Sequence, residues 1–157
     1  MTTTSMNITI KNLKHIVSMS QETYCFTANV FANGVKIGTA MNQGCGGSTD
    51  FHPLDNSKTY NHSEMESLID SEVHKQIMAN AIQKDLKRLK KDMITKVCFI
   101  KDTSVSNNYG FFQLKDKSPL HIAAENYLIG VIRKKYPNAV ILNGKEDSEL
   151  LKFLSDV

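Results

Sequence analysis

Apolar and polar residues alternate along Glu22 to Asn42, and the alternation is interrupted by Asn33-Gly34. A two-residue type I′ turn needs positive φ at both central positions, so this dipeptide predicts a β-hairpin. With Ala32 opposite Val35, the register sets Val30 against Ile37, Ala28 against Thr39 and Phe26 against Met41. Upstream, Asn7 to His15 carries Ile8 and Ile10 in alternation and then Leu13, which predicts a further strand beside the hairpin. The apolar face of such a meander needs a cover, and the stretch from about Ser63 to Thr95, which lacks Gly and Pro, supplies it. Its apolar residues, from Met65, Leu68, Ile69 and Val73 to Leu86, Leu89 and Met93, recur at three- and four-residue steps, as on one face of an amphipathic helix. Glu64, Glu66, Asp70 and Glu72 crowd its start and Lys84, Lys87, Arg88, Lys90 and Lys91 its end, the order the helix dipole favours. Ser63, with Glu66 in capping-box spacing, or Asn61, is the expected N-cap.

Downstream, Val97 to Ile100 and Tyr109 to Leu114 predict a second hairpin across a polar loop rich in Ser and Asn. A helix follows, opened by Ser118-Pro119 and stopped before Pro137, with Arg133, Lys134 and Lys135 in its last turn. Ala139 to Leu142 then predicts a buried strand, Asn143-Gly144 a turn, and Glu146 to Leu154 a terminal helix. The expected fold is α+β, an N-terminal antiparallel meander packed on a long amphipathic helix, in the order βββ-α-ββ-α-β-α.

The 157 residues suit one domain over 7–157, preceded by a loosely ordered tail at 1–6. A hydrophobic content of 41% excludes wholesale disorder, and the balance of 19 basic against 16 acidic side chains does not announce a polyanion as partner. Three widely spaced cysteines, Cys25, Cys45 and Cys98, fit a reduced chain of the cytoplasm, and no apolar run is long enough for a membrane span.

Candidate chemistry concentrates in Asn42-Gln-Gly-Cys-Gly-Gly-Ser-Thr-Asp-Phe-His-Pro53. Gly44, Gly46 and Gly47 permit backbone shapes closed to other residues, and successive amides in such a loop can form an anion-binding nest. Ser48, Thr49, Asp50 and His52 add polar groups. No Lys-Ser/Thr follows the last Gly, which excludes a Walker A loop, and the spacing does not fit a dinucleotide fingerprint. The plainer reading is a tight connection in which Asp50 and His52 bond the local backbone. Cys45 as nucleophile would need His52 or His15 as base, yet Cys45, Asp50 and His52 share one short loop, whereas such groups usually come from separate elements. His52, His62 and His74 with nearby carboxylates are possible metal ligands in unconvincing spacing, so no metal and no cofactor is expected. The basic run with Lys84, Lys87, Arg88 and Lys91 is a candidate phosphate or nucleic-acid contact, although helix-dipole matching explains it without a ligand.

The segments "ITIKNLKH", "SQETYCFTANVFANGVKIGTAMNQGCGG" and "FHP", with the late "RKKYPNAVILNGK", resemble a group of small proteins encoded by tailed phages and prophages. Ser20, Glu22, Thr23, Phe26, Asn42, Gly44, Gly46, Gly47 and His52 occupy the places of that group's pattern. Cys45 departs from it, and the stretch from about Asn56 to Ser118 does not match. The resemblance implies an origin and a shared surface loop, without a reaction. The resulting expectation is a binding protein that occupies a host protein, such as a nuclease or immune effector, through Asn42 to His52. The alternative is a sequestering protein or enzyme for a phosphorylated small molecule held by the Gly loop. Nucleic acid ranks below both, and a homo-oligomer is compatible with the sequence.

Overall fold

A computed structural model describes residues 6–101 and 109–155; all but Met6 of the tail expected over 1–6, and the Ser/Asn-rich loop over 102–108, lie outside the described residues. The chain forms an α+β fold in two compact units, Met1–Ala79 and Asn80–Val157.

In the first unit, strands β1 (Ile8–His15), β2 (Cys25–Ala32), β3 (Val35–Gln43) and β4 (Asp50–Pro53) form one antiparallel sheet in sequential order. Asn33 and Gly34 both have positive φ, 50° and 83°, as the turn between β2 and β3 requires. The register departs from the simple expectation. Ala32 does face Val35 and Phe31 faces Lys36, but a bulge at Ile37 then sets Val30 against Gly38, Ala28 against Ala40 and Phe26 against Asn42. Gly38 explains the shift: a Cβ there would run into the Phe51 ring and the His52 carbonyl, so the aromatic ring of β4 fills the inward place that Gly38 leaves empty. Thr39 and Met41 therefore turn outward and Asn42 turns in. The fourth strand itself, β4, was expected as loop; its pairing with β3 runs from Gly38 opposite Pro53 to Met41 opposite Asp50.

Helix α1 (His62–Asp92) covers the inner face of this sheet with Met65, Ile69 and Val73, packed among Ile8, Ile10, Phe26, Ala28, Val30 and Ala40. Its cap is Asn61, whose Oδ1 accepts from the Glu64 amide. The Ser63–Glu66 capping box does not form, because the Glu66 carboxylate accepts from the Thr49 amide instead.

In the second unit β5 (Lys96–Ile100) lies between β6 (Gly110–Gln113) and β7 (Val140–Ile141), antiparallel to both. Helix α2 (Ile122–Lys135) puts Leu128 and Ile132 against Val97 and Phe99, while Leu86 and Leu89 of α1 and Leu150 of α3 (Asp147–Ser155) pack around Cys98. A strand buried on both faces reads as an unbroken apolar run, which is what Val97 to Ile100 displays. The cap of α2 is His121, whose Nδ1 accepts from the Ala124 amide; Ser118, the expected cap, bonds Asp116 instead. Among the described residues no helix is long and apolar enough to cross a membrane.

Candidate functional site

The inward turn of Asn42 creates the centre of the site. A buried amide side chain has to satisfy two donors and an acceptor, and Asn42 does so entirely with neighbours. Its Oδ1 accepts from the Thr23 hydroxyl at 2.9 Å and the Gly44 amide at 2.8 Å. Its Nδ2 donates to the Gly47 carbonyl at 2.9 Å and to Thr49 Oγ1 at 3.2 Å. Thr49 is fully buried and its hydroxyl donates in turn to Asp70 Oδ1 of α1, at 2.6 Å. One relay of hydrogen bonds thus runs from Thr23 through Asn42 and Thr49 to the helix.

The Gly loop is closed from the other side as well. The Gly44 carbonyl accepts from the amides of Gln21, Glu22 and Thr23, and the Gly46 amide donates to the Thr23 hydroxyl. Gly44 and Gly46 both have φ near +80°, the region that favours glycine. Both also sit too close to the Ser20–Tyr24 turn for a side chain. A Cβ on Gly44 would meet the Met19 carbonyl and Cys25, and one on Gly46 would meet the Glu22 carboxylate. The turn is tied down by Ser20, whose hydroxyl donates to the Ile16 carbonyl and accepts from the Cys25 amide. With that proton committed, the His15 Nε2 at 3.1 Å must be the donor to Ser20.

The sequence candidates separate into four groups. Asn42, Gly44, Gly46, Gly47 and Thr49 meet in the network described above. Cys45 and Ser48 are exposed on the loop, the Cys45 thiol facing the Gln43 carbonyl. Asp50 and His52 lie on β4 and point to the opposite face of the sheet, paired with Met41 and Thr39. Lys84, Lys87, Arg88 and Lys91 form an exposed cationic stripe on α1, opposite the buried Leu86 and Leu89. Among the described residues no three His, Cys, Asp or Glu side chains gather closely enough to hold a metal ion. Cys98 is an inert thiol, its pKa pushed up to about 12, chiefly by burial.

A cleft of about 540 Å³ opens between the Ser20–Tyr24 turn and α1, lined by Glu22, Tyr24, Asn42, Asp70 and His74. Tyr24 Oη lies 3.0 Å from His74 Nδ1, and His15 meets the Tyr24 ring edge-on. Partial burial, with help from the Glu66 charge, raises the Asp70 carboxyl above its usual range even though the Thr49 hydrogen bond opposes the shift. A carboxyl raised in the folded state binds its proton more tightly there than in the unfolded chain. Stability therefore declines as pH rises from the unfolded value, about 4, through the raised one. In Asp70→Asn, whose Oδ1 still accepts from Thr49, that part of the decline is expected to vanish in urea titrations across pH 3 to 7; an unchanged pH profile would contradict the assignment.

Sequence reasoning missed Asp70, Glu66, His74 and Tyr24 as neighbours of the loop, since they reach it from α1 and from β2's approach. The signal for Glu22 and Thr23 lay in the sequence: Ser20, Glu22, Thr23, Asn42, Gly44, Gly46 and Gly47, singled out together there, are the residues that build the closed loop. No protein family, curated protein or solved structure matches the chain.

Proposed function

We propose that the chain is a binding protein, of the accessory kind its phage resemblance implies, which occupies a host protein through the Gly44–Thr49 loop and the turn beside it, without the Asp50 and His52 side chains, which the strand β4 turns to the other face of the sheet. The observation that carries this reading is a braced loop set against exposed apolar residues. Ile16, Val17 and Met19 are 45%, 71% and 52% exposed, and the Met19 carbonyl is in contact with Gly44. Apolar side chains held on a rigid support suit protein recognition, because little ordering entropy is lost when the partner arrives. The phosphate-binding alternative has less support. The Gly44 and Gly46 amides already donate within the chain, and the Glu22 carboxylate packed on Gly46 repels an anion.

The test is capture of a host protein from bacterial lysate by the full chain, compared with Val17→Asp and Met19→Asp. Both side chains are exposed, so the variants are expected to fold normally. A single stoichiometric partner retained by the wild type and weakened about tenfold or more by either variant supports the reading. Equal retention by all three proteins, or no partner at all, contradicts it.

A further inference from the structure

The second unit carries a trough at the margin where α1 stops short of the sheet. Cys98 is buried beneath Leu86 and Leu89, but Phe111, opposite it on the edge strand β6, is 50% exposed. Ile94, in the connection from α1 to β5, is 58% exposed. Both border one trough of about 520 Å³, with Lys91, Lys96 and Lys117 around it. The carboxylate that lines it, Asp92, is already committed: Oδ1 holds the Lys96 ammonium at 2.8 Å and Oδ2 accepts from the Tyr109 hydroxyl at 2.8 Å. Asp116, next to Lys117, accepts from the Ser118 amide and hydroxyl of its own turn. Lys91 and Lys117 are exposed, and among the described residues neither has a carboxylate partner. The walls are fixed, since the Leu120 amide donates to the Ile94 carbonyl at 2.8 Å and the Asp92 pair holds Lys96 over Phe111, 4.2 Å from the ring centre. The surrounding charge has the same sign: residues 80–157 hold 14 Lys and Arg against 9 Asp and Glu, whereas 1–79 hold 5 against 7.

We infer that this trough docks an acidic protein segment, with apolar side chains laid on Ile94 and Phe111 and neighbouring carboxylates at Lys91 and Lys117. Charge complementarity sets the sign of the occupant, and two exposed apolar side chains bordering the same trough ask for apolar groups among its charges. A nucleic acid matches less well: the face of the Phe111 ring under Lys96 is closed to a stacking base, and Ile94 offers no ring at all. Fixed walls also mean that little ordering entropy is lost on this side when the segment arrives. The trough shares no residue with the loop and turn of the proposed function, so either assignment can fail without the other.

The experiment is fluorescence anisotropy of a labelled peptide, Asp-Glu-Leu-Asp-Leu-Glu-Asp, with the full chain. A dissociation constant below about 1 mM is expected at about 50 mM salt. Replacing both peptide leucines by Ser, or its acidic residues by Asn and Gln, is expected to lower affinity about tenfold or more. In the protein, Lys91→Gln combined with Lys117→Gln, and separately Ile94→Ser, are expected to do the same; these side chains are exposed, and unchanged urea midpoints check that the variants fold. Lys11→Gln combined with Lys14→Gln, which removes the same charge from β1, is expected to leave affinity as it is. Absence of binding at low salt would overturn the inference. So would equal affinity for the leucine-free peptide or for an oligothymidylate, which would reveal charge attraction alone. A dimer of the free chain that Ile94→Ser dissociates would overturn it too, by assigning the trough to a second copy.

Discussion

Asn42→Ala is expected to destabilise the first unit by roughly 3 kcal/mol, the scale of a buried polar group removed from a network whose other members stay behind. The substitution deletes four hydrogen bonds at once and strands the partners. The Gly44 amide and the Thr23 hydroxyl lose their acceptor, and the Gly47 carbonyl and Thr49 hydroxyl lose their donor. Asn42 is 6% exposed and Thr49 is fully buried, so water cannot take over these roles without opening the loop. Urea denaturation followed by tyrosine fluorescence measures the loss in a variant that keeps Tyr24 and Tyr60 and has Tyr109, Tyr127 and Tyr136 replaced by Phe, so that the signal comes from the first unit. A change below about 1 kcal/mol would mean that the network contributes no more than one ordinary surface hydrogen bond.

Gly44→Ala is the second large effect. The position has φ +82°, and the new methyl would be driven into the Met19 carbonyl while lying 2.8 Å from the Cys25 Cβ. A backbone carbonyl cannot swing away as a side-chain tip can, so either the Ser20–Tyr24 turn moves or the loop detaches. A loss of roughly 3 kcal/mol is expected from the combined strain and clash. Gly47→Ala is the matched comparison. Gly47 has no positive φ, and a methyl there meets nothing within 4 Å. That substitution is expected to be neutral or to stabilise by about 0.5 kcal/mol through the unfolded chain. Equal urea midpoints for the two variants would contradict the close approach at Gly44. Gly47→Ala touches none of Ile16, Val17 and Met19, whereas Gly44→Ala presses on the Met19 backbone and is expected to weaken partner binding together with stability.

Much of the fold is legible in the pattern of residues because its strongest signals are local. Asn33-Gly34 specifies a turn by its own backbone preferences, and the three- and four-residue steps of α1 specify the face that covers the sheet. What local pattern could not contain is the bulge. A simple count from the turn places Met41 inward and Asn42 outward; the bulge at Ile37 reverses both. Its cause is the ring of Phe51 over Gly38, a contact between strands whose pairing depends on β4, itself hidden by the polar residues around it. The same single-residue slip turns a loop of assorted polar groups into a network centred on Asn42 and sends Asp50 and His52 to the other face. The caps show the same limit on a smaller scale. Ser63 and Ser118 have the right type and spacing, but Asn61 and His121 hold the helix amides, because Glu66 is engaged by the Thr49 amide and the Ser118 hydroxyl by Asp116. Glycine spacing drew attention to the right loop for a different reason from the one that operates there: positive φ and close approach to a neighbouring turn, with the amides turned to internal partners.

The loop is a rigid element braced by Asn42 before any partner arrives, and amide hydrogen exchange in the free protein reads that rigidity residue by residue. The amides of Gly44, Gly46 and Thr49, which donate to Asn42, Thr23 and Glu66, are expected to exchange at least a hundredfold more slowly than exposed loop amides. In Asn42→Ala that protection is expected to be lost while β1 and β2 keep theirs. Exchange of these three amides at unprotected rates in the wild-type chain would contradict the account, since a loop that opens freely cannot serve as a preformed support for Val17 and Met19.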